Sequence, residues 1–136
     1  MRKFYSFVIA ALLTTFGFMA AAQAQSLDEM LANPKIDDIY VARLDKFSDG
    51  FDDKAFGMLR VIEIDSSKIV VVTEDAAWPD SPEGSYDELK GDFSDIGWDF
   101  DEKITIERAK LAELKSAGNL LQGRRLTAQQ IKDYLN

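Results

Sequence analysis

Residues 91–102, GDFSDIGWDFDE, set Asp92, Asp95, Asp99, Asp101 and Glu102 around Phe93, Trp98 and Phe100. Clustered carboxyls can hydrolyse glycosidic bonds when one is held protonated and another ionised across a cleft. The spacing here argues against that use. Read as a strand, the segment puts Asp95, Asp99 and Asp101 on one face and Trp98 and Phe100 on the other. Carboxylates in one exposed row stay ionised together. The two rings are therefore expected to face a core and the acids to face water.

A second acidic run, DKFSDGFDD, gathers Asp45, Asp49, Asp52 and Asp53 around Gly50. Calcium takes oxygen ligands from loops of this kind. With Gly50 at the sixth place of a helix–loop–helix calcium loop, oxygen ligands are required at 47 and 56, and both positions are Phe. The segment reads as a solvated acidic turn, with a looser calcium site as the alternative. Ser66, Ser67 and Lys68 adjoin in what reads as a hairpin turn, where nothing lowers the lysine pKa enough to make it a base.

The chain contains no His and no Cys. Imidazole general bases, thiolate nucleophiles, disulfides, an N-terminal lipidated Cys and the usual zinc sites are excluded. No catalytic residue, metal ligand or cofactor is assigned from the sequence.

The remaining chemistry is recognition. Residues 76–93 place Trp78, Tyr86 and Phe93 among Asp80, Glu83, Asp87, Glu88 and Asp92, with two prolines breaking regular structure. Read as one long loop, the segment suits binding, since long loops in small domains commonly bind. Aromatics beside acids fit a cationic protein or peptide. Trp78, Glu83, Tyr86, Asp87 and Glu88 are the expected partner-binding residues.

Charge agrees with this choice. Residues 25–102 carry 21 acidic and 7 basic side chains, net −14, whereas residues 103–136 carry 3 acidic and 7 basic, net +4. Such acidity repels nucleic acid and anionic lipid and attracts basic surfaces.

The first residues read as an address. Arg2 and Lys3 precede an uncharged stretch at 4–22 that ends near Ala22-Gln23-Ala24, the pattern of a cleaved signal peptide. We expect a signal peptide at 1–24 and a single domain at 25–136, periplasmic or secreted, without stable membrane insertion after cleavage.

Along the rest of the chain, the sequence predicts a short helix in SLDEMLANP, with Ser26 and Glu29 in capping-box spacing. It predicts strands at 37–47, 55–65, 68–75, in DIGWDF and in NLLQGRRL, with Ser66-Ser67 as the hairpin turn and a bulge or close approach at Gly57. At most one helical turn is expected in YDELKG. Helices are also expected in ERAKLAELKSAG, ended by Gly118, and in TAQQIKDYLN, capped by Thr127 and Gln130 with Leu126 and Ile131 as a staple.

These elements predict an α+β fold: a small twisted antiparallel sheet, or a partly open β-barrel, with short peripheral helices. The expected function is an exported non-enzymatic binding domain, of the kind that inhibits or neutralises a basic protein. A calcium-dependent envelope protein and a small carboxylate-dependent hydrolase are the alternatives.

Overall fold

The Ser26 hydroxyl accepts the Glu29 backbone N–H, and the Glu29 carboxylate turns back to the Ser26 N–H, so helix α1 (Leu27–Ala32) begins where its capping box places it. The structure, a computed structural model, describes residues 26–135. The expected signal peptide at 1–24 lies outside the described residues. Six strands follow: β1 (Ile39–Arg43), β2 (Ala55–Ile64), β3 (Lys68–Glu74), β4 (Trp78–Pro79), β5 (Trp98–Glu107) and β6 (Leu120–Arg124). Helix α2 (Glu83–Leu89) lies between β4 and β5, α3 (Leu111–Ser116) between β5 and β6, and α4 (Ala128–Tyr134) after β6.

The sheet runs β5-β3-β2-β1-β6, every pair antiparallel, with β4 added to the start of β2. It is open and not closed into a barrel, since β5 and β6 each have a neighbour on one side. The α+β expectation holds in its open-sheet form.

Both faces of this sheet are covered. Tyr40 and Ala42 of β1 point into a cluster with α1 (Leu27, Met30, Leu31), Leu59, Val61, Ile69, Val71 and Leu111 of α3. The alternate residues Ile39 and Val41 point into a second cluster with Met58, Leu89 of α2, Phe93 and Leu126, flanked by Ile131 and Tyr134 of α4. Strands sandwiched in this way read as continuous apolar runs and not as alternating ones, which is why VARL, FGMLRVI and KIVVV lack a polar face. The staple pair Leu126 and Ile131 meets in the second cluster, as its spacing predicts.

Two basic side chains lock the elements together. Arg125 makes a two-pronged contact with the buried Asp38 carboxylate, at 2.8 and 2.7 Å, and also reaches the Asn33 carbonyl. Arg124 donates from Nη1 to the carbonyls of Leu89 and Gly91, both at 2.7 Å, satisfying the C-terminal end of α2. Its guanidinium also lies over the rings of Phe93 and Tyr134.

Two expectations need correction. Residues 76–93 are not a long loop, because they contain β4 and the whole of α2. Two prolines and an acidic sequence hide that helix, which is held by packing of Leu89 and by Arg124 and not by propensity.

The second correction concerns β5. Val71 pairs with Ile104, but Thr73, two residues further along β3, pairs with Asp99, five residues back along β5. Residues 100–103 therefore bulge out of the ladder, and the Asp99 carboxylate accepts the Asp101 N–H inside the bulge. A broken ladder breaks the period-two alternation. Trp98 remains half-buried against the second cluster, whereas Phe100 is 51 % exposed instead of facing the core. The Arg60 guanidinium lies over both rings, 5.8 Å from Trp98 and 5.7 Å from Phe100.

Candidate functional site

Glu74 is the last residue of β3. Beyond it the chain steps sideways, so that Trp78 and Pro79 can pair with Phe56 and Ala55 at the start of β2. The step leaves an interval on β2 that neither β3 nor β4 covers. The Glu74 side chain fills it, and its Oε2 accepts the Met58 backbone N–H at 2.8 Å. Gly57, beside Met58, permits this fit: a Cβ there would run into Leu44 Cδ1 and approach Glu74 Oε2 to 3.3 Å. At Gly57, where a bulge or a close backbone approach is expected, what comes close is the side chains of Leu44 and Glu74.

Glu74 is 4 % exposed, and its Oε1 is buried without a hydrogen-bond partner. The Glu88 carboxyl of α2 comes near it. Burial first, and then the negative charge of Glu88, push the Glu74 carboxyl up to about 8. The closeness of the two carboxyls, which can share a hydrogen bond only when one of them carries a proton, adds to the rise. Below that pH the Glu74 carboxyl holds its proton.

The outer end of the same chain of contacts is aromatic. Trp78 donates its indole Nε1–H to Glu88 Oε1 at 2.9 Å. Its ring rests against the backbone of α2 at Gly84, where a Cβ would collide with the ring atoms. Gly84 and Glu88 lie one helical turn apart on the same face, so one side of α2 offers both the bare backbone that seats the ring and the acceptor that orients it. Trp78 nevertheless stays 40 % exposed. Glu83 and Asp87, also one turn apart, are exposed on α2, and Asp80 is exposed just before it. Ser85, on the sheet side of the helix, is fully buried with its hydroxyl unpartnered.

The structure therefore brings together Trp78, Glu83, Asp87 and Glu88 of the expected binding residues, on β4 and α2. Tyr86 points differently: it packs half-buried against the second cluster, together with the buried Phe93. Sequence reasoning missed Glu74, Gly84 and Ser85. The available signal for Glu74 was an acid that closes an apolar strand, KIVVVTE, without a polar alternation to turn it outward.

The other candidate chemistries have local partners of their own. The Asp45 carboxylate is held by Arg43 at 2.8 and 2.7 Å and by the Ala55 N–H, and the Arg43 contact draws it below the usual carboxylate range. Asp65 accepts the N–H groups of Ser67 and Lys68 and the Ser67 hydroxyl, which makes that serine a turn residue. Among the described residues no three acids are grouped so as to hold a metal ion, and no helix is long and apolar enough to cross a membrane. Comparison with family models, curated proteins and solved structures returns no match for this chain.

Proposed function

We propose that this protein is an exported, non-enzymatic binding domain that presents the acidic face of β4 and α2 to a cationic protein or peptide. The observation that carries the reading is Trp78, an exposed ring that is already oriented. Its indole is fixed by Glu88 and seated on Gly84, with Asp80, Glu83 and Asp87 around it. A ring immobilised before binding loses little freedom on association, and aromatic anchors carry most interface energy. Exposed acids around it speed encounter with a basic surface and select against acidic ones.

The carboxylate-hydrolase alternative has one feature in its favour, the unequal pair Glu74 and Glu88. However, Glu74 lies beneath the surface with Oε2 committed to a backbone N–H. A general acid has to reach its substrate, so the pair fits a structural task better.

The test is capture by the tagged domain from envelope and culture-medium fractions, at low and at physiological salt. Wild type is compared with Trp78→Ala and with the double reversal Glu83→Lys, Asp87→Lys. The expected outcome is a basic partner that elutes with salt, associates at least tenfold more slowly with the reversal variant, and is lost with Trp78→Ala. An acidic partner, or binding indifferent to both variants, would overturn the proposal.

A further inference from the structure

Under the Trp78 face, the buried Glu74 carboxyl of β3 comes near the half-buried Glu88 carboxyl of α2, and each is tied onward to a different part of the fold. We propose that Glu74 and Glu88 form a proton-held latch: one shared proton keeps α2 and the Trp78 ring seated on the sheet, and its departure lets them lift. The inference gives a regulation to the binding face proposed above and rests on that reading for its purpose, but not for its mechanism.

The chain of contacts runs from the Met58 N–H on β2 to Glu74 on β3, across to Glu88 on α2, and out to the Trp78 indole, whose ring lies on Gly84. The link between the carboxyls is the one that needs a proton, because two carboxylates have no hydrogen to share. The charges that bear on Glu74 are acidic, Glu88 and then Asp75 on the connection after β3. On β5, Trp98 stands opposite Glu74 in the ladder, with Asp99 next to it. On β2 the adjoining residues are Gly57 and Met58, both uncharged. A second negative charge is therefore met by repulsion and by the cost of burial.

The side that yields follows from how each carboxyl is anchored. Glu74 belongs to a strand paired along both edges, with β2 and with β5. Glu88 belongs to a helix of seven residues whose N-cap, Pro82, offers no side-chain hydrogen bond. Trp78 belongs to a strand of two residues. Ser85 adds a buried hydroxyl without a partner, which further weakens the seating of α2. The segment with fewer bonds to lose is β4 with α2.

The experiment uses the full chain with both tryptophans replaced by 5-fluorotryptophan, followed by fluorine NMR from pH 6 to 9.5 without any partner. Its outcome is thus separate from whether a cationic partner exists. The two resonances are assigned with Trp78→Phe. The Trp78 signal is expected to move with a midpoint near pH 8, while the Trp98 signal changes little. Glu74→Gln retains an acceptor for the Met58 N–H and offers Glu88 a permanent donor, so its Trp78 signal is expected to stay at the low-pH position throughout. Glu88→Gln retains the indole acceptor and removes the facing charge, and is expected to lower the midpoint. A Trp78 signal that does not titrate in the wild type overturns the latch, as does a titration unchanged in either variant.

Discussion

Glu74 makes a pH dependence that is simple to isolate. Its carboxyl rises from 4.5 in the unfolded chain to about 8 in the fold. The folded state therefore holds this proton more tightly, and the resulting stability is complete below about pH 4.5 and lost as pH climbs through 8. No His or Cys is present to titrate in the same interval. The melting temperature is expected to fall between pH 6.5 and pH 9, and Glu74→Gln is expected to abolish most of the fall, as scanning calorimetry at the two values will show. Gly84 supplies a second test. On propensity alone, Gly84→Ala inside a helix stabilises by roughly 0.5–1 kcal/mol. Here the added Cβ strikes the Trp78 ring, so the variant is expected to gain no stability and to show greater quenching of tryptophan fluorescence by acrylamide. A stabilised Gly84→Ala with unchanged quenching would place the ring elsewhere.

Among the elements, β5 ranks its own aromatics. Phe93, just before it, is buried beside Tyr134, Trp98 is half-buried under Arg60, and Phe100 stands out on the bulge. Truncation to Ala should follow that order. Phe93→Ala is expected to cost about 3–5 kcal/mol, the range of a buried aromatic. Trp98→Ala is expected to cost less than that, and Phe100→Ala to stay within about 0.5 kcal/mol of wild type. Urea unfolding of the three variants checks the order, and a Phe100→Ala as damaging as Phe93→Ala would mean that the bulge is closed. The helices differ in kind. In α1 and α4 local capping boxes fix the starts, so Thr127→Ala should cost about 1 kcal/mol. Helix α2 has no such cap and depends on what it touches.

For the protein as one charged body, the lopsided sequence is answered at a few places within the fold. Five of the seven basic side chains after residue 102 turn back onto the acidic first part. Lys103 meets Glu63, Lys115 meets Asp28 and Arg125 meets Asp38, while Arg108 reaches the Asp65 carbonyl and Arg124 the carbonyls of Leu89 and Gly91. The contact of Arg125 with Asp38 is the buried one, and Asp38→Ala, which removes the carboxylate facing the guanidinium, is expected to cost about 3–5 kcal/mol. The acids of α2 and of the β5 bulge have no such answer in these pairings. Self-repulsion there is screened by salt over about 8–10 Å, so raising sodium chloride from 20 to 300 mM is expected to raise the melting temperature. A fall would mean that the exposed ion pairs outweigh the repulsion.

Where information is local, the chain declares itself. Capping boxes at Ser26 and Thr127, the Ser66-Ser67 hairpin, the stop at Gly118 and the apolar runs of β2 and β3 depend on neighbours within a few residues, so the open α+β sheet was legible from the sequence, as was the coincidence of acids and aromatics between 76 and 93. The bulge in β5 depends on which residues of β3 lie opposite, a matter of register between segments about thirty residues apart. Helix α2 depends on Arg124 reaching back some thirty-five residues to its final carbonyls. The pairing of Glu74 with Glu88 depends on both at once: a strand that ends one step early and a helix that lies over the gap. In the sequence those two residues are ordinary acids among many, and only the burial of Glu74 beside Glu88 makes a proton matter to them.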